Sequence, residues 1–453
     1  MQMKHPVAAA LCLLLCLSFL FLDPIRACAE APTPPSMEEA SAVYFYHLQS
    51  DRVVSQKNAD QQVSAGSSVK LMSGLLFCEQ LKDLRQEYVT VTGSMVNQVT
   101  GRRLYLKSGD VLTVEQLLYA SVCGSYNDAF YVLAHVVSGS LSAFVDLMNQ
   151  RAASLGLSST FYTDPSGIND GSLTSARDVA TVALTAYQNP LFLQLCGTAK
   201  FQMPKTQAYA ARTLSNRNEM IVATTTSKYY NKHCIGMSAG STSNGGNCVI
   251  ALTQNGEETY LCVVLGAMET ADTEYGYVVA NRLLAWAEQT YSYVEVITPE
   301  TVLCTLPVTV SDTTSEIEIR TKESLLAYLP TGVTVGKEIR YSIRLLYDEL
   351  EAPVTEGTPV GYVAVIYEER TLGTLELYTA SGAQRSNLVS SLKAIQNLTQ
   401  TRAALAAILF FSVSLVAWIT TETVLRVRRR HRWDRYFSGK VELPPDLLKK
   451  RKK

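Results

Sequence analysis

Cysteine, histidine and basic charge are scarce in the body of this chain, and each scarcity excludes a class of protein. Of 453 residues, ten are cysteines and five are histidines. Cys12, Cys16 and Cys28 fall in an apolar leader, which leaves Cys78, Cys123, Cys196, Cys234, Cys248, Cys262 and Cys304. An odd set without C-x-x-C or Cys/His spacing supports neither a disulfide framework nor a zinc site. These cysteines are expected to be small buried hydrophobes. With 25 Gly and 15 Pro the chain is neither collagen-like nor of low complexity, and 47% apolar residues exclude general disorder. The formal charge of −1 conceals a segregation. From Arg426 onward 12 Lys/Arg face 3 Asp/Glu, whereas the rest carries 28 against 38, a net of −10. A body of that sign is not a nucleic-acid binder, because phosphate contacts need a basic face. The length suits one large domain and a smaller one.

Both ends point to export. After Lys4, Val7 to Leu22 is a charge-free run of 16 residues broken by Asp23-Pro24. That is short for a bilayer span and suits a secretory leader, with Ala27-Cys28-Ala29 as the small-x-small site and cleavage before Glu30. Residues 1–29 are therefore expected to be a signal peptide. Ala403 to Thr421 is a second uncharged stretch, 19 residues long, or about 28 Å as a helix. Arg426, Arg428, Arg429, Arg430 and Arg432 follow it. The positive-inside rule then makes 403–425 a transmembrane helix, 426–453 a basic cytoplasmic tail, and everything before it extracytoplasmic. The tail also suits attraction to anionic lipids.

Between the ends the chain changes character once. Over 36–288, strand-like and helix-like stretches alternate. Ala42 to Tyr46 and Val89 to Thr92 read as strands from their β-branched and aromatic content. Val69, Met72 and Leu76 share a helical face after Ser67. Thr113 with Gln116 forms a capping box that opens a helix expected to run to Gly124, and Ser175 with Asp178 caps another. Cys248 to Leu252 and Leu261 to Leu265, separated by Asn255-Gly256, read as two central strands of a hairpin. Over 291–383 the pattern has period two, punctuated by Pro353, Gly357, Pro359 and Gly361, as in a small β-sandwich. Residues 386–402 are polar and read as a linker.

Three short segments carry chemistry. Ser67 and Lys70, three residues apart at a helix start, point the same way and place an amine beside a hydroxyl. A lysine can take the serine proton only where desolvation or positive neighbours depress its pKa. Alone the spacing is weak, since roughly two such pairs arise by chance in a chain of this length, and Ser67 read in isolation is an N-cap. Ser125-Tyr126-Asn127, at a helix junction, offers a hydroxyl to relay a proton and an amide to bind a substrate carbonyl. Gly236-Met237-Ser238-Ala239-Gly240-Ser241-Thr242 precedes the 248–252 strand, where a glycine permits close approach to the nucleophile.

In these segments the chain resembles the serine D-alanyl-D-alanine carboxypeptidases, the low-molecular-mass penicillin-binding proteins, whose marks are SxxK, SxN and KTG. Gln56 to Asp60, Leu106 to Asp110, Leu155-Gly156-Leu157, Asp164-Pro165-Ser166-Gly167 and Ser175 to Asp178 follow in the family's order. Glu351 to Val354 with Val360-Gly361 resembles the family's distal β-domain. The resemblance implies an α/β (α+β) penicillin-binding, β-lactamase-like domain with an antiparallel sheet flanked by helices. The β-sandwich and the transmembrane helix follow it. It implies Ser67 as acylated nucleophile, Lys70 as its base, Ser125 as proton relay and Asn127 as substrate-orienting amide. Backbone N–H groups of Ser67 and Ser241 would form the oxyanion hole. The implied partners are a peptidoglycan stem peptide and, as covalent inhibitors, β-lactams, with no cofactor or metal. One departure stands out. The family's Lys-Thr-Gly reads Ser238-Ala239-Gly240, so the side chains that grip a substrate carboxylate are missing, while Gly240 and Ser241 remain at the substrate-binding strand. The expected activity is removal of a terminal D-alanine through an acyl-enzyme, reduced by that loss. A catalytically weak peptidoglycan-binding or sensing module of the same fold is the alternative.

Overall fold

Apolar strands covered on both faces organise the larger part of the molecule. The computed structural model describes residues 32–97, 99–205, 209–400, 402–437 and 439; the expected leader and most of the basic tail lie outside the described residues. Two compact units divide the chain. One comprises the residues up to Val294 together with Ala327–Thr334, the other Glu295–Leu326 and the residues from Val335 onward.

In the first unit, β1 (Ala42–His47) and β2 (Arg52–Lys57) precede helix α1 (Val69–Leu81). Helices α2 (Val114–Leu118), α3 (Asn127–Ser138) and α4 (Ala176–Tyr187) follow. Then come β3 (Cys234–Thr242), β4 (Gly246–Asn255), β5 (Glu258–Ala267) and α5 (Tyr275–Thr290). The five strands form one antiparallel sheet in the order β2-β1-β5-β4-β3. The hairpin β4–β5 is central, and Asn255 pairs with Glu258 across a tight turn in which Gly256 takes a φ of +63°, a conformation open to glycine at little cost. Side chains alternate between two cores. Ile250 and Val263 face Met72, Leu75 and Phe77 of α1 and Phe130 of α3, while Val249 and Val264 face Tyr277 and Leu283 of α5. Each such large side chain withdrawn from water stabilises the fold by roughly 1.5–3 kcal/mol. β3 is left at the sheet edge, where its free side meets the start of α1.

Both capping motifs form. The Thr113 side chain accepts from the Gln116 N–H, the Gln116 side chain accepts from the Thr113 N–H, and Ser175 accepts from the Asp178 N–H. The helix expected through Gly124 does not stay α-helical. After Leu118 the turn Tyr119–Cys123 is a π-helix, and Ser125 follows with a φ of +58°. π-turns inside helices re-aim the residues after them and recur at functional sites.

The second unit contains β6 (Cys304–Thr309), β7 (Glu316–Arg320), β8 (Ile339–Leu345), β9 (Leu350–Glu351), β10 (Pro359–Tyr367) and β11 (Arg370–Thr379). They form a six-stranded sheet in the order β8-β10-β11-β7-β6-β9. The 386–402 segment, read as a linker, is instead largely helical: α6 spans Asn387–Gln400. Ser386 Oγ accepts from the Val389 N–H at 3.3 Å and caps it. Its apolar residues are interspersed with Ser, Asn and Gln, and among them Leu388, Val389 and Leu392 are exposed. Helix α7 (Arg402–Phe437) runs beyond the apolar stretch into the arginines. Its Leu405–Asp434 portion is long and apolar enough to cross a membrane, and none of its most apolar window is buried. Six of the seven cysteines described are buried, Cys304 is partly so, and none is bonded to another.

Candidate active site

Ser67 sits in a short 3-10 turn, Gly66–Ser68, that leads into α1. Its side chain caps nothing. Instead Ser67 Oγ donates to the Gly240 carbonyl oxygen on the edge strand at 2.8 Å. A Cβ at position 240 would lie 3.0 Å from the Ser67 Cβ, so glycine is what allows the strand and Ser67 to approach. The turn before Ser67 is buttressed by the Asp164–Asn169 loop. Asp164 Oδ1 accepts from the Ser166 and Gly167 N–H groups, both at 2.7 Å, and Oδ2 from the Asn169 N–H at 2.9 Å. Gly167 takes a φ of +75°, and a Cβ there would lie 1.7 Å from the Gly66 oxygen. No other residue fits.

Lys70 is the second residue of α1, one turn after Ser67, and its amine lies above the Phe130 ring at 5.6 Å. Its Nζ donates to Ser125 Oγ at 2.8 Å and to the Ser125 carbonyl oxygen at 3.0 Å. Burial, reinforced by the guanidinium groups of Arg102 and Arg217 and opposed by Asp164, holds its pKa down to about 7. The amine is thus paired with the second serine, and the Ser67 hydroxyl rests on the strand. Ser125 reaches the amine through its left-handed backbone, which costs about 1–2 kcal/mol for a residue with a Cβ. The π-turn holds it there: the Ser125 N–H donates to the Ser121 oxygen at 2.9 Å and the Tyr126 N–H to the Ala120 oxygen at 3.0 Å.

Asn127 donates through Nδ2 to the Thr100 oxygen at 2.8 Å, while its buried Oδ1 has no partner. A carbonyl-binding amide was expected here; the group left open is an acceptor, suited to a substrate N–H. Asp128 steadies the facing loop by accepting from the Leu104 and Leu106 N–H groups at 2.9 and 3.0 Å. That loop carries Arg102, whose Nε donates to the Gly124 oxygen at 2.8 Å and whose guanidinium stacks over Tyr126 at 4.6 Å.

Ser67, Lys70, Ser125, Asn127, Gly240 and Ser241 line one cleft of about 840 Å³. Ser238 and Ala239 do not. Ser238 faces a void of about 10 Å³ shared with Lys70, Ser121, Ser125 and Phe130. Ala239 is 2% exposed and packs with Val249 and Tyr277 in the core on the α5 side. Sequence reasoning missed Arg102, Ser166, Arg217 and Glu274, which also line the cleft. Ser166 stands in a segment that follows the family's order, which by itself gives it no role. The other three lie far from the motifs along the chain, and no local spacing marks them.

A serine hydroxyl, a lysine with depressed pKa and a bridging second serine, in a cleft between helices and a sheet edge, are the equipment of a penicillin-fold serine acyl-transfer enzyme. The family model described as D-alanyl-D-alanine carboxypeptidase (peptidase family S11) matches residues 28–269, over half of the chain, and the chain belongs to that family. D-alanyl-D-alanine carboxypeptidase DacC of Escherichia coli strain K12 is 27% identical over 357 residues, covering 76% of this chain and 85% of that protein. DacF of Bacillus subtilis strain 168 is also 27% identical, over 232 residues, 51% of this chain and 58% of the relative. Penicillin binding protein 5 from Haemophilus influenzae superposes with a TM-score of 0.56 at 21% identity, covering 78% of this chain and all of that one. Penicillin binding protein 6B from Escherichia coli gives 0.56 at 21%, covering 77% and 97%. At that identity the likeness is one of fold, and the fold is that of the penicillin-binding proteins.

Proposed function

We propose that this protein is a membrane-anchored serine D-alanyl-D-alanine carboxypeptidase that trims the terminal D-alanine from peptidoglycan stem peptides, with Ser67, Lys70 and Ser125 as its catalytic residues. The observation that carries the reading is the Lys70 amine, enclosed, with a pKa near 7, bonded to Ser125 and sharing a cleft with Ser67. Neutral Lys70 takes the Ser67 proton as Oγ bonds to the carbonyl carbon of the penultimate residue. The tetrahedral oxygen is stabilised by the backbone N–H groups of Ser67 and Ser241. The C–N bond breaks, the proton passes from Lys70 through Ser125 to the departing amine of D-alanine, and water then hydrolyses the Ser67 ester. Asn127 Oδ1 accepts an N–H of the bound peptide. β-Lactams enter the same route and stop at the ester.

Helix α7 serves as the anchor, with the cleft outside the membrane and the arginines on the cytoplasmic side; protease cleavage of 426–453 in intact cells would contradict this topology. A second reading, a weakly catalytic peptidoglycan-binding module, draws on the absence of a cation at Ser238 and of a hydroxyl at Ala239. Intact-mass measurement of the full-length chain with a saturating β-lactam separates them. The enzyme reading expects a single adduct that disappears in Ser67→Ala. Absence of any adduct would leave only the binding module.

A further inference from the structure

The cleft wall formed by Gly240 and Ser241 holds an ion pair that no sequence motif includes. Arg217 Nη2 donates to Glu274 Oε2 at 2.9 Å, and Glu219 Oε1 lies 3.7 Å from Nη1. Arg217 and Glu274 are only 19% and 18% exposed, yet both line the cleft. The same Glu274 oxygen accepts from Asn247 Nδ2 at 2.8 Å, and that nitrogen also donates to Ser241 Oγ at 3.0 Å. The surroundings hold both partners in place. Asn247 Oδ1 accepts from the Gly276 N–H at 2.9 Å, Tyr229 OH accepts from the Glu274 N–H at 2.8 Å, and Tyr277 OH donates to the Arg217 oxygen at 2.9 Å. A guanidinium and an amide converging on one carboxylate oxygen is how a protein binds a carboxylate ligand. Here the carboxylate belongs to the chain itself.

We propose that Glu274 is a specificity-determining residue that fills the anion position of this wall, so that the cleft binds peptides ending in a neutral group as well as those ending in a free carboxylate. An incoming carboxylate meets a guanidinium already paired, with Glu219 adding repulsion, and Ser238 supplies no cation in its place. Arg102 makes no ion pair among the described residues, but it stands on the opposite wall, tied to Gly124 and Tyr126. The substrate class that follows includes interior D-alanyl peptide bonds and amidated or ester termini beside free D-alanyl-D-alanine ends. It deepens the acyl-transfer reading above for turnover, while its claim about binding stands apart from turnover.

The test uses full-length Ser67→Ala chain in detergent micelles, titrated by NMR with an N-acyl-D-alanyl-D-alanine peptide and with its C-terminal amide. With Glu274 present the two dissociation constants agree within about threefold, because no charge-assisted bond favours the acid. Adding Glu274→Gln, which keeps the shape and an acceptor oxygen, frees Arg217 and brings an acid preference of roughly tenfold or more. A further Arg217→Gln removes that preference. An acid preference above roughly thirtyfold with Glu274 intact overturns the proposal without recourse to any change at 274. So does an unchanged ratio in folded Glu274→Gln. Release of D-alanine and D-alaninamide by the wild-type chain is scored separately. No turnover of either, with the expected binding ratios, removes the carboxypeptidase reading and leaves this inference standing.

Discussion

The two walls of the cleft differ in how they treat charge. On the helical wall the lysine's pKa is held down to about 7 by enclosure and by two guanidiniums, and among the described residues its amine bonds to the atoms of Ser125. On the strand wall a full positive charge, Arg217, is kept charged and is matched by Glu274. Burial lowers the cost of neutrality in the first case and demands a counter-ion in the second, since an unpaired charge out of water costs several kcal/mol. The helical wall is therefore built for proton transfer. The strand wall is built for shape and close backbone approach.

That contrast can be broken most directly by removing Lys70. Lys70→Met is expected to slow acylation of Ser67 by a fluorescent penicillin roughly 10³-fold, the scale of a lost general base, whereas Ser238→Ala on the strand side changes it by less than about threefold. Comparable losses at both positions would end the distinction. Next in size, Gly167→Ala forces both a left-handed backbone and a clash with the Gly66 oxygen. A loss of about 2–4 kcal/mol in urea unfolding is expected, along with slower acylation because the Ser67 turn shifts; unchanged stability would show that the loop does not buttress the turn. Asp128→Asn weakens two hydrogen bonds to the Arg102 loop and should cost about 1–2 kcal/mol in the same assay.

The smallest effect concerns pH. Acylation requires neutral Lys70, so its rate rises with pH through about 7 and is flat above. Removing a neighbouring positive charge with Arg102→Gln favours the protonated amine and moves that midpoint upward by roughly half a unit. A midpoint that stays put would remove Arg102 from the causes and leave enclosure and Arg217. The same shift has a sign for stability. Between the ordinary value of 10.5 and about 7, the unfolded chain holds a proton that the folded one lacks. Lys70 therefore makes the fold less stable as pH falls through that window.

Much of this was open to sequence reasoning, for identifiable reasons. The central hairpin, the α1 face and both caps follow from short-range patterns, and the SxxK and SxN segments, each weak alone, gain weight from their order along the chain. The Tyr119–Cys123 π-turn was not legible, because its residues suit an α-helix equally well. It is the need to bring Ser125 to Lys70 that selects the wider turn. Helix α6 was missed because the segment was read by its polar composition, although Leu388, Leu392 and Ile395 recur at helical spacing. Ser238 and Ala239 aligned with a substrate-gripping motif, yet neither lines the cleft: one faces a small void, the other the α5 core. Strand alternation turns Ala239 away from the face that carries Gly240 once the register is set by distant partners.

Local order along the chain was enough to mark Ser67 and Lys70 one helical turn apart, the central strands and the apolar helix near the C-terminus, since each depends on neighbours within a few residues. The tertiary fold alone decided that Arg102 and Arg217 flank the amine and that Glu274, 57 residues beyond Arg217, pairs with it on the strand wall. Enclosure and long-range charge depend on which segments pack together, and no spacing within a segment encodes that.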